Sequence, residues 1–212
     1  MPQDKFYATK SNKRLHRWGF KDSGFELTGE KTVTFSGKRY EVSGTEMPDF
    51  IPYIESVLGI DFDEEDQISP VDKKPFQASN LSPEFFDQLK SSFEKDRYTI
   101  DGMERLIHSH GQETFKDVYK VLYNSIERTV DLVFYPESED EVRSLVDLAV
   151  KFNICLIPYG GGTNVTRALS IPENENRSVV SVDMRRMSKI EWINREDRRV
   201  CVQSGITGGD LI

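Results

Sequence analysis

Three consecutive glycines, Gly160, Gly161 and Gly162, stand between Pro158-Tyr159 and Thr163-Asn164-Val165, directly after the apolar run Ile154-Cys155-Leu156-Ile157. Glycines in a row let a backbone turn tightly and bring bare amides close to a ligand. Successive amides of that kind form an anion-binding concavity suited to phosphate. Thr163 and Asn164 add short side-chain donors at its rim, and Pro158 ends the preceding strand without offering an amide. A diphosphate held this way would gain several hydrogen bonds to charged groups, at ~1.5–3 kcal/mol each. The same residues also suit a plain structural turn, and residue type alone does not choose. A Walker A loop requires Gly-Lys-Ser/Thr, and no lysine follows these glycines. The dinucleotide pattern G-x-G-x-x-G would need glycine where Val165 stands, which disfavours a nicotinamide cofactor.

Other reactive side chains carry weaker signals. His108 and His110 lie two apart in Arg105 to Gly111, a compact helix or turn, and so fall on opposite sides of a helix. A zinc site needs further ligands that nothing nearby supplies, which leaves packed or hydrogen-bonded histidines near an interdomain surface as the expectation. The acidic run Asp61-Phe62-Asp63-Glu64-Glu65-Asp66 lacks the spacing and glycine of a calcium loop and reads, with residues 67–80, as an exposed loop. Cys155 and Cys201 sit in strand-like runs at core positions, as inert buried thiols. No metal is expected.

The elements that must position the glycine loop are legible from residue 131 on. Leu132 to Tyr135 predicts a buried strand closed by Pro136, and Ser138 with Glu141 forms a capping box. The following helix turns Val142, Leu145, Val146, Ala149, Val150 and Phe152 inward and stops at Asn153. Residues 154–157 form a second strand, which makes a β-α-β unit with a right-handed crossover. Val179 to Val182 is a third strand, and 190–193 with 200–202 is a hairpin. Upstream, Thr32 to Phe35 and Lys38 to Val42 alternate around Ser36-Gly37 and predict another hairpin. Asp49 to Leu58 has helical spacing before Gly59. Ser82-Pro83-Glu84 opens a further helix with Phe85, Phe86, Leu89 and Phe93 on one face. Residues 1–21 form a basic arm, with one acid, Asp4.

Composition bounds the rest. The 212 residues are 37% hydrophobic and 30% charged, with a net charge of −8 that argues against nucleic-acid binding through bulk positive charge. No apolar run exceeds about four residues, far below the ~20 of a membrane-spanning helix. The first residues hold no apolar stretch of the secretory kind. Two cysteines are too few for a disulfide scaffold, so reduced thiols in an intracellular compartment are expected.

The helix-linked strands, the PxGGGTxV loop, the third strand and the hairpin leading to Gly205-Ile206 resemble the first half of a flavin-binding domain of the vanillyl-alcohol oxidase, or PCMH, type. Arg17 to Ser23 (RWGFKDS), Gly37 to Tyr40, Ser43-Gly44, Arg105 with Ser109-His110-Gly111, and Gly205 to Gly208 narrow this. Together they resemble the alkyldihydroxyacetonephosphate (alkylglycerone-phosphate) synthase family from about Arg17 to the last residue. The resemblance implies an α+β chain: a mainly helical N-terminal region with a small hairpin over 1–127, then the first part of the FAD-binding domain over 128–212. It implies FAD as cofactor, its diphosphate on Pro158, Tyr159, Gly160, Gly161, Gly162, Thr163 and Asn164, with Thr207-Gly208 approaching it more weakly. Tyr159 replaces a usual aliphatic residue and Asn164 a frequent serine. The implied reaction exchanges the acyl chain of acyl-dihydroxyacetone phosphate for a long-chain fatty alcohol, the ether-bond step of plasmalogen synthesis, without net redox change. A homodimer, peripheral membrane association and a peroxisomal location are implied too, although no targeting signal is legible. The family's catalytic residues fall beyond Ile212, so none is assigned and the chain reads as an N-terminal portion. The alternatives are a flavin-linked 2-hydroxy-acid dehydrogenase on the same fold, motivated by the loop alone, and a non-catalytic product acting by dimerisation.

Overall fold

The computed structural model describes residues 20–38, 40–63, 75–111, 114–208 and 211. The chain divides into two compact units, residues 1–69 and 70–212. In the first unit β1 (Gly24–Leu27), β2 (Val33–Ser36) and β3 (Glu46–Met47) form an antiparallel sheet in the order β1-β2-β3. The hairpin expected between 32–35 and 38–42 is therefore replaced by one with an upstream partner. Phe25 lies opposite Phe35, their rings 4.9 Å apart, and such aromatic cross-strand pairs set a register. The chain after β2 bends instead of extending: the Ser43 hydroxyl accepts the Gly37 amide at 3.1 Å and the Ser43 amide returns to the Tyr40 carbonyl. Helix α1 (Phe50–Leu58) ends at Gly59, as its spacing predicts. The acidic run from Glu64 onward and the basic arm before Phe20 lie outside the described residues.

The second unit carries α2 (Pro83–Ser92), β4 (Tyr98–Thr99), α3 (Gly102–Ile107), α4 (Phe115–Leu122), β5 (Leu132–Phe134), α5 (Glu139–Phe152), β6 (Cys155–Tyr159), β7 (Val179–Asp183) and the hairpin β8 (Ile190–Asn194) and β9 (Arg199–Val202). The sheet runs β4-β5-β7-β6, with β5, β7 and β6 parallel and β4 antiparallel. The strands of the β-α-β unit are thus not neighbours, because β7 enters between them. Every residue of β7 is buried, which is what an interior parallel strand covered on both faces requires. Its Val180 and Val182 join Phe85, Leu89, Leu132, Phe134, Leu145, Ala149 and Ile154 in one core under α2 and α5. Each such fully buried side chain is worth about 1.5–3 kcal/mol.

Local signals explain most element ends. Ser82 accepts the Phe85 amide at the start of α2. Ser138 accepts the Glu141 amide at 3.2 Å at the start of α5, and Asn153 closes that helix in the left-handed conformation. The Glu141 carboxylate does not complete the capping box; it accepts the Glu137 amide at 2.7 Å and Arg97 at 3.0 Å, an ionic partner being the stronger competitor. On α5 the buried stripe is Leu145 and Ala149, while Val146 and Val150 are exposed, contrary to expectation. A helix lying on a sheet buries one stripe, and these valines stand one position, about 100°, further round. Cys155 and Cys201 are free and half-buried, less enclosed than their strand positions suggest. After β9, Gly205 lies so close to the turn Met184–Arg186 that a Cβ would fall 1.8 Å from the Met184 carbonyl oxygen, and only glycine fits.

A buried carboxylate holds the amino ends of the strands together. Asp131 is inaccessible to solvent. Its Oδ1 accepts the Asn80 amide at 2.7 Å and Arg128 at 2.8 Å, and its Oδ2 accepts the Val179 amide at 2.8 Å and Arg128 at 2.6 Å. Removing one partner of such a pair leaves an uncompensated charge. Asp131→Ala is expected to cost about 3–5 kcal/mol in urea denaturation, with Asp131→Asn losing less; an unchanged midpoint for the alanine variant would refute this.

Candidate cofactor site

The carboxyl ends of β5, β6 and β7 meet on one side of the sheet, where open α/β sheets bind their ligands. Tyr159 pairs in register with Asp183, and Phe134 with Val182, so Tyr135, Asp183 and Tyr159 stand in a row. Strand β6 continues through Pro158 to Tyr159 rather than ending at the proline, which is tolerated because β6 pairs only with β7 among the described strands. Tyr159 is buried and the chain then emerges: Gly160 and Gly161 are exposed.

The glycines have separate reasons. Gly162 has φ +67°, a left-handed conformation, and a Cβ there would lie 2.7 Å from the Tyr159 hydroxyl. At Gly160 an added Cβ would meet no protein atom within 4 Å. Internal packing therefore explains Gly162 but not Gly160, whose bare backbone faces open space. Asn164 uses its Oδ1 to accept the Ala168 amide at 2.9 Å, while its Nδ2 is buried and has no protein partner among the described residues. A buried donor without an acceptor costs about 1–3 kcal/mol unless something else accepts from it. Exposed bare backbone beside an orphaned donor fits an anionic acceptor such as a diphosphate.

Beneath the loop lies a buried polar cluster that residue spacing did not reveal. His108 is fully buried, with Nε2 2.7 Å from Asp183 Oδ2 and Nδ1 2.7 Å from the Glu104 carbonyl oxygen. Its ring packs against Tyr159 at 4.3 Å between centroids. Arg185 donates Nε to Asp183 Oδ1 at 2.9 Å, and Tyr135 donates its hydroxyl to Glu104 at 2.8 Å. Burial pushes the Glu104 carboxyl up and the Tyr159 phenol up to about 12. Burial also works to raise Asp183, but the hydrogen bonds from His108 and Arg185 outweigh it and hold that carboxyl below the ordinary range. The one sequence signal for Asp183 was a charged residue closing the apolar run Val179-Val180-Ser181-Val182.

The packed histidines are thus confirmed for His108, and no group of side chains among the described residues is arranged to hold a metal. Arg105, also buried, ties α3 to the chain before β5, donating Nε to the Val130 carbonyl at 2.7 Å and Nη1 to the Gln77 carbonyl at 2.8 Å. A cleft of about 430 Å³ opens beside Ser109 and His110. No residue of 158–164 lines it, and its cations are already paired, Lys120 with Glu127 and Arg128 with Asp131. The glycine loop is the better anion site.

Residues 130–212 match the family described as FAD binding domain. The alkyldihydroxyacetonephosphate synthase of Caenorhabditis elegans is 38% identical over 92% of this chain and 32% of its own length. That of Dictyostelium discoideum is 36% identical over 81% of this chain and 29% of its own. A solved alkyldihydroxyacetonephosphate synthase superposes with a TM-score of 0.80 at 30% identity, covering 94% of this chain and 37% of that one. Over most of its length this chain is similar to the alkyldihydroxyacetonephosphate synthases. Residues 130–212 match the FAD-binding domain, the chain has the mixed α and β fold of the solved synthase, and the cofactor of the domain is FAD. This chain spans about a third of the length of the curated relatives it matches.

The Asp183 shift carries a sign. A carboxyl lowered in the fold contributes stability that is complete above its unfolded value, near 3.8, and is lost as pH falls below it. Melting temperature of the wild type should therefore fall on acidification through that range more steeply than that of Asp183→Asn; parallel curves would count against the assignment.

Proposed function

We propose that the glycine loop holds the FAD diphosphate and that the whole protein is an alkylglycerone-phosphate synthase, exchanging the acyl chain of acyl-dihydroxyacetone phosphate for a long-chain fatty alcohol. The observation that carries the loop assignment is the pairing of open backbone at Gly160 with the partnerless Asn164 Nδ2. Pro158 and Tyr159 bring the chain to the sheet edge, and the amides of Gly160, Gly161 and Gly162 with the side chains of Thr163 and Asn164 face the phosphates. Bound there, FAD supplies a flavin ring as covalent catalyst, with no net change of redox state. The residues of this chain bind and orient. We further assign the cofactor module to residues 128–212. From the likeness to alkyldihydroxyacetonephosphate synthases we also propose that the protein is a peroxisomal homodimer, associated peripherally with the membrane and acting in ether-lipid synthesis.

The full-length protein should carry FAD and form alkyl-dihydroxyacetone phosphate from the acyl substrate and hexadecanol. Bound FAD without that product would overturn the synthase reading. Anaerobic bleaching of the flavin by D-lactate would replace it with a 2-hydroxy-acid dehydrogenase.

A further inference from the structure

We infer that His108 is a positioning residue for the cofactor loop, acting through the ring of Tyr159. This rests on the reading that the glycine loop holds FAD. His108 stands just after α3, 75 residues from Asp183 in the chain, yet the two are joined at 2.7 Å inside the protein. Its second nitrogen is tied to the Glu104 carbonyl oxygen at 2.7 Å. An imidazole anchored at both nitrogens cannot rotate without losing one bond, and each would be lost in a site without water to replace it. Asp183 is itself held, by the Arg185 backbone amide at 3.0 Å and by its guanidinium. The fixed imidazole face then meets the Tyr159 ring at 4.3 Å, with Arg185 5.9 Å from that ring.

The Tyr159 hydroxyl end reaches the underside of Gly162, at the position a Cβ would crowd. Three rigid contacts in series therefore connect α3 to the backbone that faces the phosphates. An aliphatic residue at 159 could not span from the imidazole to Gly162, so in this chain the aromatic ring and the histidine form a matched pair. Loss of the histidine lets the ring sink into the space it leaves, and the loop amides lose their aim. Supporting residues behind a binding site act in this way, by fixing the rotamers of the groups that touch the ligand.

The test uses the full-length protein and FAD itself, with the dissociation constant read by flavin fluorescence at a temperature where each apo variant is folded. Displacing one charge-assisted hydrogen bond to the diphosphate corresponds to about a tenfold loss of affinity. His108→Gln and Tyr159→Leu are each expected to weaken FAD by about that factor, and the double variant by no more than the larger single effect. Tyr159→Phe, which keeps the ring on the imidazole, should lose less than Tyr159→Leu. A role confined to stability would lower apo melting temperatures while leaving these constants unchanged, and that result overturns the inference; so does full additivity in the double variant. Gly161→Val separates the two readings. If it abolishes FAD binding while the His108 and Tyr159 variants bind as wild type, only the positioning role falls. If it too binds normally, the loop assignment falls and takes this inference with it.

Discussion

The carboxylate of Asp131 is the constraint on which the second unit depends. A fully buried charge is costly unless every lone pair is used, and here the acceptors serve the Asn80 and Val179 amides as well as the two arms of Arg128. Residues far apart in sequence are thereby brought to one point at the amino ends of β5 and β7. The Asp131 backbone takes part too, its amide donating to the Val179 carbonyl at 2.7 Å and its carbonyl accepting the Ser79 hydroxyl at 2.9 Å. With one end of the parallel pair so fixed, the opposite end is fixed by the regular rise of the strands, and there the glycine loop emerges.

At that opposite end a second buried carboxylate, Asp183, does for side chains what Asp131 does for backbone. It collects His108 and Arg185 beneath the loop. The two aspartates flank β7, one beside its first residue and one as its last, with Val180, Ser181 and Val182 all buried between. Apart from the Ser181 hydroxyl, β7 is thus apolar along its middle and ionic at both ends. The ionic ends confer geometric precision, and the apolar middle supplies the free energy that makes it tolerable.

Much of this was readable locally. Caps at Ser82, Ser138, Asn153 and Gly59 and the short apolar strands depend on neighbouring residues, and they stand where their types indicate. The glycine loop was readable for the same reason, although its partnerless Asn164 donor was not. What escaped depends on partners distant in sequence. Alternation around Gly37 suited a local hairpin, but the better aromatic partner for Phe35 was Phe25. Val146 and Val150 fit a helical apolar face, yet the sheet has width for only one stripe. The contact between His108 and Asp183 left no periodic trace, since a buried hydrogen-bonded pair requires only two residues whose spacing the fold, not the helix or strand repeat, decides.

The place of β7 has a consequence for the order in which the chain assembles. β5 and β6 are complete by Tyr159, but neither pairs with the other; each pairs with Val179–Asp183. During synthesis from the amino end, both strands must wait with unsatisfied edges until that later segment leaves the ribosome. The loop between β6 and β7, glycines included, is the tether over which the last strand must return. Non-local closure of this kind is slow and exposes strand edges meanwhile. Among the described strands of this sheet β7 is thus the last to arrive, and the glycine loop before it is drawn into place as β7 pairs with β5 and β6.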